Sequence, residues 1–251
     1  MQYIKGLDAF DGRNQTAVTL GKFDGLHRGH QKLLNRIMKY AQKEDCDSVV
    51  CAFDMDRDCL MTNEERRAFL EDKVDYLIEI PFTREMMEME AEKFIDEILH
   101  KKLHASHIVV GTDFNFGHEK RGNHQMLEKY AAKYGYTVDV VEKAYYKDRE
   151  ISSTYIRELL LDGNVPLANE LLGYPYEITS VVEHGQQLGR TLGFPTMNLA
   201  PQEKKILPKY GVYACRVLVD GVWYGGVGNA GVKPTVAQEK RRLFEVYVYG
   251  Y

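Results

Sequence analysis

Two hydrophobic rhythms alternate along the first two thirds of the chain. TAVTL, residues 16–20, is a continuous apolar run of strand length, and the stretch from His30 through Asp45 sets Leu33, Leu34, Ile37, Met38 and Ala41 at helical spacing. The same change of period recurs. SVVCAF precedes a helical pattern near Glu64 to Glu71, DYLIEI precedes AEKFIDEILHKKL, and HIVVG precedes a helix over roughly His124 to Tyr134. TVDVV and a helix starting near Ser153 close the series. Buried strands alternating with helices predict an α/β fold, a largely parallel sheet covered by helices, with ligands at the carboxyl ends of the strands. Gly21 and Gly111 stand at two such ends.

Beyond Gly173 the helical period disappears. YEITSVVEHG, GVYACRVLVDG, VWYGGVGNAG and RRLFEVYVYG are β-rich runs broken by glycine and proline, with Asp220 and Gly221 placed as a tight hairpin turn. Two domains are expected, residues 1–172 and 173–251, joined by the GYPY stretch around Pro175, the second an antiparallel β-structure or small barrel.

Composition narrows the function classes. Hydrophobic residues at 44% and charged residues at 28% suffice to bury a core, which argues against disorder. The net charge of −4, from 33 basic and 37 acidic residues, provides no global basic field for a nucleic-acid backbone, so an anionic ligand needs a local site. Cys46, Cys51, Cys59 and Cys215 form no CxxC pair and have no histidine at metal-ligand spacing, which argues against a zinc site or disulfide framework and fits a reducing cytoplasm. No apolar run approaches membrane-spanning length and MQYIKGLDAFDG has no signal-peptide core, so the expectation is a soluble, cytoplasmic chain without membrane or nucleic-acid partners.

The densest chemistry lies in LGKFDGLHRGH, residues 20–30. A glycine turn between strand and helix lets a phosphate approach backbone amides at the positive end of the helix dipole. His27 and His30 add donors there. In nucleotidyl transfer negative charge accumulates at the α-phosphorus, so these imidazoles read as stabilisers of that charge rather than nucleophiles. Just past HIVVG, Asp113 is placed to accept hydrogen bonds, while Phe114 and Phe116 offer either faces for a planar ring or core packing. At the last helix, Ser152, Ser153 or Thr154 can cap, and Arg157 one turn in can fork onto phosphate oxygens, or simply be solvated.

Taken in order, these strings resemble the bifunctional bacterial riboflavin kinase/FMN adenylyltransferase family, also called FAD synthetase. GKFDGLHRGH resembles its adenylyltransferase signature, GTDFNFGHEKRG its flavin-side loop and ISSTYIR its second nucleotide motif; GRTLGFPTMNL with LPKYGVYA resembles its kinase signature, and GGVGNAGVKPT and FEVYVYG follow in order. The resemblance implies a Rossmann-like nucleotidyltransferase domain and a β-barrel kinase domain. It implies ATP-dependent phosphorylation of riboflavin to FMN, then adenylylation of FMN to FAD with release of pyrophosphate. His27 and His30 would serve the adenylyl transition state, with Gly21, Phe23, Gly25, Ser152, Ser153, Thr154 and Arg157 around ATP and Asp113, Phe114 and Phe116 near the flavin. In the second domain Gly189, Arg190, Gly193 and Phe194 would cover ATP phosphates, Thr196 and Asn198 would hold Mg2+, and Glu245 would be the catalytic base.

Two departures accompany the resemblance. AFDMDRDC stands where the family often has a proline-rich turn after the second strand, so that nucleotide loop is expected to be built differently. The family pattern continues past Tyr251 through a further strand and helix, so the second domain is expected to lack its usual end. Competing readings are a monofunctional adenylyltransferase with a structural second domain and a flavin- or nucleotide-binding regulator without turnover. A tRNA synthetase also uses HxGH, but the lysine-rich signature and basic RNA-binding region it needs are missing from the sequence.

Overall fold

A computed structural model describes residues 1–54, 57–183, 195–234 and 240–251. Packing divides the chain into two compact units: residues 1–57 with 63–153, and residues 58–62 with 154–251.

The first unit is built on a six-stranded parallel sheet of β1 (Gln2–Lys5), β2 (Gln15–Gly21), β3 (Cys46–Asp54), β4 (Tyr76–Pro81), β5 (Ala105–Gly111) and, after the short pair β6 (Asn115–Phe116) and β7 (Gly122–Asn123), β8 (Thr137–Val141). Its order is β1-β4-β3-β2-β5-β8. From β2 the chain winds out through β3 and β4 on one side and through β5 and β8 on the other, so the strand order reverses between β2 and β5. That reversal opens a crevice at the carboxyl ends of these two strands, the usual ligand position in such sheets. A small antiparallel pair, β9 (Tyr145–Tyr146) and β10 (Arg149–Glu150), ends the unit.

Helices cover both faces of the sheet. α1 (Arg28–Lys43) packs on β2, β3 and β5, burying Leu34 and Ile37. α2 (Asn63–Leu70) and α3 (Arg84–Glu88) are short. α4 (Ala91–Lys93) continues as a π-helical stretch, Phe94–Lys102, whose wider winding shows in the Leu103 amide bonding back to Ile98 at 2.9 Å. Phe94, Ile95 and Leu99 from that stretch share one core with Val18, Leu20, Cys51, Ile78 and Ile108. α5 (His124–Tyr134) starts where the Asn123 side chain accepts from the Met126 amide and stops at left-handed Gly135, so its ends are written in local chemistry.

In the second unit, α6 (Ser153–Asp162) and α7 (Val165–Leu172) precede a five-stranded antiparallel sheet ordered β11-β12-β15-β14-β13. Its strands are β11 (Val182–Glu183), β12 (Thr196–Leu199), β13 (Gly211–Val219), β14 (Val222–Pro234) and β15 (Lys240–Val248). The Asp220-Gly221 hairpin forms as expected, with Val219 opposite Val222 and both turn residues at positive φ, 49° and 80°. The antiparallel β-structure expected for this part of the chain is present; among the described residues β11 and β13 do not pair with each other, so no closed barrel is seen.

One short segment crosses the sequence order. Residues 58–62, which follow β3, lie against the β-rich half of the chain. The Cys59 amide donates to the Lys204 carbonyl at 2.8 Å, the Ile206 amide donates to the Cys59 carbonyl at 2.9 Å, and the buried Lys205 ammonium donates to the Leu60 carbonyl at 2.7 Å.

Candidate active site

The loop from Gly21 to His27 is wound tightly over the end of β2. Phe23, Gly25 and Leu26 all take positive φ, at 45°, 83° and 39°. For Phe23 and Leu26 that conformation costs energy, and both side chains are fully buried, which holds it in place. The Gln31 side chain donates to the Leu26 carbonyl at 2.8 Å, and the Ser153 hydroxyl donates to the Asp24 carbonyl at 2.7 Å, tying the loop to the start of α1 and to the chain entering α6.

His27 is the N-cap of α1. Its Nδ1 accepts from the His30 amide at 3.4 Å, so its proton sits on Nε2. The two imidazoles stack with ring centroids 3.8 Å apart, and Phe23 meets His30 edge-on at 5.2 Å. Burial pushes the His27 pKa down to about 4. His30 is also held well below its ordinary value, first by burial and then by His27 and Arg66 beside it. Its Nδ1 is buried without a hydrogen-bond partner. The site therefore presents two neutral imidazoles at the positive end of a helix, where an imidazolium would be opposed. Gly29 makes the arrangement fit: a Cβ there would lie 3.1 Å from the His27 ring.

Beneath His30 sits a buried ion pair. Arg66 and Glu79, both about nineteen-twentieths buried, approach to 3.4 Å, and the Tyr3 hydroxyl donates to the Glu79 carboxylate at 2.6 Å.

Across the crevice, Asp113 is exposed and pairs with the Lys143 ammonium at 3.0 Å; Glu150 holds the same ammonium at 2.8 Å. Phe114 is half-buried against the core. Phe116 is buried between Phe94 and Phe114, at 5.2 and 5.6 Å, with Gly122 close over its ring. Ser152 and Ser153 end the first unit, whereas Thr154 and Arg157 belong to the second, where the Arg157 guanidinium donates to the Asp58 carbonyl at 3.4 Å.

In the second unit, register assembles a polar face that sequence spacing does not reveal. Asn198 of β12 stands opposite Glu245 of β15, Glu245 opposite Asn229 of β14, and Asn198 also opposite Glu183 of β11. Cross-strand partners share a face, as do residues two apart, so Thr196 joins them. The other face carries Met197, Leu199, Ala230, Phe244, Val246 and Val248 and is the core. Glu183 and Asn229 were not singled out from sequence, because only strand pairing brings them to this row. Gly189, Arg190, Gly193 and Phe194 lie outside the described residues.

The sequence model of the FAD synthetase family matches residues 10–155, and that of the riboflavin kinase family matches residues 172–251. The chain belongs to the bifunctional riboflavin kinase/FMN adenylyltransferase family. Relatives carrying that description include one from Buchnera aphidicola subsp. Schizaphis graminum, 34% identical over 100% of this chain and 85% of its own. Those of Escherichia coli K12 and Haemophilus influenzae are 35% and 36% identical over 97% and 100% of this chain, and 82% and 85% of their own. A crystal structure described as a macrolide-efflux protein from Streptococcus pneumoniae superposes with a TM-score of 0.88 at 30% identity, covering 100% of this chain and 84% of that one. Among the described residues no helix is long and apolar enough to cross a membrane. The first family model spans the histidine pair at the start of α1, and the second spans the polar sheet face.

Proposed function

We propose that this chain converts riboflavin to FMN and FMN to FAD, with ATP as phosphate donor in the first step and adenylyl donor in the second. Residues 173–251 carry the kinase chemistry and residues 1–172 the transferase chemistry. The observation that carries the reading is the stacked, neutral pair His27 and His30 at the start of α1, at the strand-order reversal.

In the first step the ribityl hydroxyl of riboflavin attacks the γ-phosphorus of ATP, the bond to the bridging oxygen breaks, and ADP leaves. Glu245 accepts the hydroxyl proton. Thr196 and Asn198 offer neutral oxygens on the same face, a donor set suited to Mg2+ that also takes phosphate and water oxygens. When bound, Mg2+ spreads the charge of the transferring phosphoryl group. Gly189, Arg190 and Gly193 cover the ATP phosphates.

In the second step a phosphate oxygen of FMN attacks the α-phosphorus of a second ATP, and pyrophosphate leaves with the electron pair of the broken bond. The His27 Nε2 proton and the His30 ring stabilise the charge gathering on the α-phosphate, and being neutral they keep this role without a protonation step. Gly21, Phe23 and Gly25 shape the loop, Ser152, Ser153, Thr154 and Arg157 serve the nucleotide phosphates, and Asp113, Phe114 and Phe116 line or support the flavin side. The chain works in the cytoplasm and needs no nucleic-acid or membrane partner.

The test is chromatography of flavins after the purified chain is incubated with riboflavin, ATP and Mg2+. FMN and FAD should both appear. His30→Ala should abolish FAD formation while FMN still forms, and Asn198→Ala should block FMN formation while supplied FMN is still adenylylated. Loss of both activities in either folded variant would overturn the two-site reading.

A further inference from the structure

Three cations leave the carboxyl end of the parallel sheet from three neighbouring strands. Lys22 follows directly on Gly21, the last residue of β2. Arg57 lies three residues beyond Asp54, the end of β3, and Lys120 closes the short turn His118–Lys120 that follows β5 and β6. β3, β2 and β5 are consecutive in the sheet and parallel, with Gly21 opposite Ala52 and Thr19 opposite Val109, so the three loops rise together around the strand-order reversal. The three side chains are exposed. Partial desolvation pulls the Lys22 pKa down, and repulsion from Arg57 and then Lys120 adds to it, which places all three within electrostatic reach.

Three carboxylates of the same loops are engaged with other side chains. Asp54 accepts from Asn63 at 3.3 Å, Asp113 holds Lys143, and Glu119 holds Arg121 at 2.6 Å. Among the described residues none of the three cations is in a salt bridge, although Arg36, Arg66, Arg84, Lys93, Lys101, Arg121 and Lys143 all are. Lys120 is also held in a strained backbone, with Glu119 and Lys120 both left-handed at φ 52° and 59°. A chain of net charge −4 gains nothing structural from gathering unpaired cations here; an anion with several charges relieves their repulsion.

We infer that Lys22, Arg57 and Lys120 form a polyphosphate site that takes the β- and γ-phosphates of ATP during adenylyl transfer and holds the departing pyrophosphate. The inference rests on the adenylyltransferase reading of the first unit. As the FMN phosphate oxygen bonds to the α-phosphorus, the bond from that phosphorus to the bridging oxygen breaks, and its electron pair stays on the leaving pyrophosphate. Cations around the leaving group gain interaction energy as that charge grows, which is transition-state stabilisation complementary to that of the histidines. Arg57 comes from the segment AFDMDRDC, so the departure from the family's proline-rich turn gains a function: it supplies a guanidinium that can fork onto phosphate oxygens.

Calorimetric titration of inorganic pyrophosphate into the full chain tests this, using Lys22→Gln, Arg57→Gln, Lys120→Gln and the triple variant. Each single substitution should weaken pyrophosphate binding at least about tenfold, and the wild-type affinity should fall with added salt more steeply than that of the triple variant. In FAD formation from supplied FMN, the KM for ATP and the pyrophosphate inhibition constant should rise together while the KM for FMN holds. Equal pyrophosphate binding by wild type and triple variant would overturn the site. FAD formation with unchanged KM for ATP and unchanged pyrophosphate inhibition would overturn it too, leaving the adenylyltransferase reading intact. Pyrophosphate binding that responds to the substitutions in a protein making no FAD would leave the anion site standing and remove that reading.

Discussion

His27→Asn keeps an acceptor at the N-cap of α1 and removes the titrating ring, so it isolates the proton linkage of this side chain. In the folded chain the His27 pKa is about 4, against about 6.5 in an unfolded chain. Between these values the unfolded state binds a proton that the folded state refuses. Stability is therefore undiminished by His27 above the upper value and falls as pH drops through the window. Integrating between the two pKa values gives a loss of about 2 kcal/mol near pH 5, growing to about 3 kcal/mol below pH 4. The asparagine variant lacks this loss. It also relieves His30 of a neighbour that lowers its pKa, a smaller change of the same sign. Urea unfolding near pH 7 and near pH 5 measures the difference between the two proteins, with helical circular dichroism reporting the helices. Fluorescence of Trp223, the single tryptophan, reports the antiparallel sheet. The stability difference should move by about 2 kcal/mol toward the variant on acidification. A difference constant to within about 0.5 kcal/mol would refute the claim that the folded site excludes an imidazolium.

Gly29→Ala puts a Cβ 3.1 Å from the His27 ring, so FAD formation should drop about tenfold while thermal stability holds and FMN formation from riboflavin is unchanged. Arg66→Met leaves the Glu79 carboxylate buried beside Tyr3 without its cation, and denaturant titration should show a loss of about 3–5 kcal/mol. Glu245→Gln keeps the shape of the polar face and removes the base; riboflavin phosphorylation should fall about a hundredfold, with adenylylation of supplied FMN unaffected.

Much of the fold was legible where its signals are local. The α5 boundaries follow from Asn123 and Gly135, β8 from TVDVV, and the β13–β14 hairpin from Asp220-Gly221. What escaped depends on the rest of the fold. β1 is a four-residue edge strand with one buried side chain, Ile4, too short to show a period. α7 carries an Asn164 cap, a proline in its first turn and Gly173 at its end, yet its eight residues give too few turns for an apolar stripe to declare itself. The π-helical winding of Phe94–Lys102 shifts the bonding by one residue without a mark in composition. At the sites, the HxGH string announced His27 and His30, whereas the row Glu183, Asn198, Glu245 and Asn229 exists only through strand register.

The excursion of residues 58–62 sets a limit on modularity. Dividing this gene at the apparent junction near residue 172 would separate Leu60 and Met61, both buried, from the partners of their own packing unit. A freed amino-terminal fragment would carry a sticky apolar strap, and a freed carboxy-terminal fragment would lose the carbonyl that receives the Lys205 ammonium. The second packing unit is thus discontinuous in sequence, and exchanging it with a relative requires moving residues 58–62 together with residues 154–251.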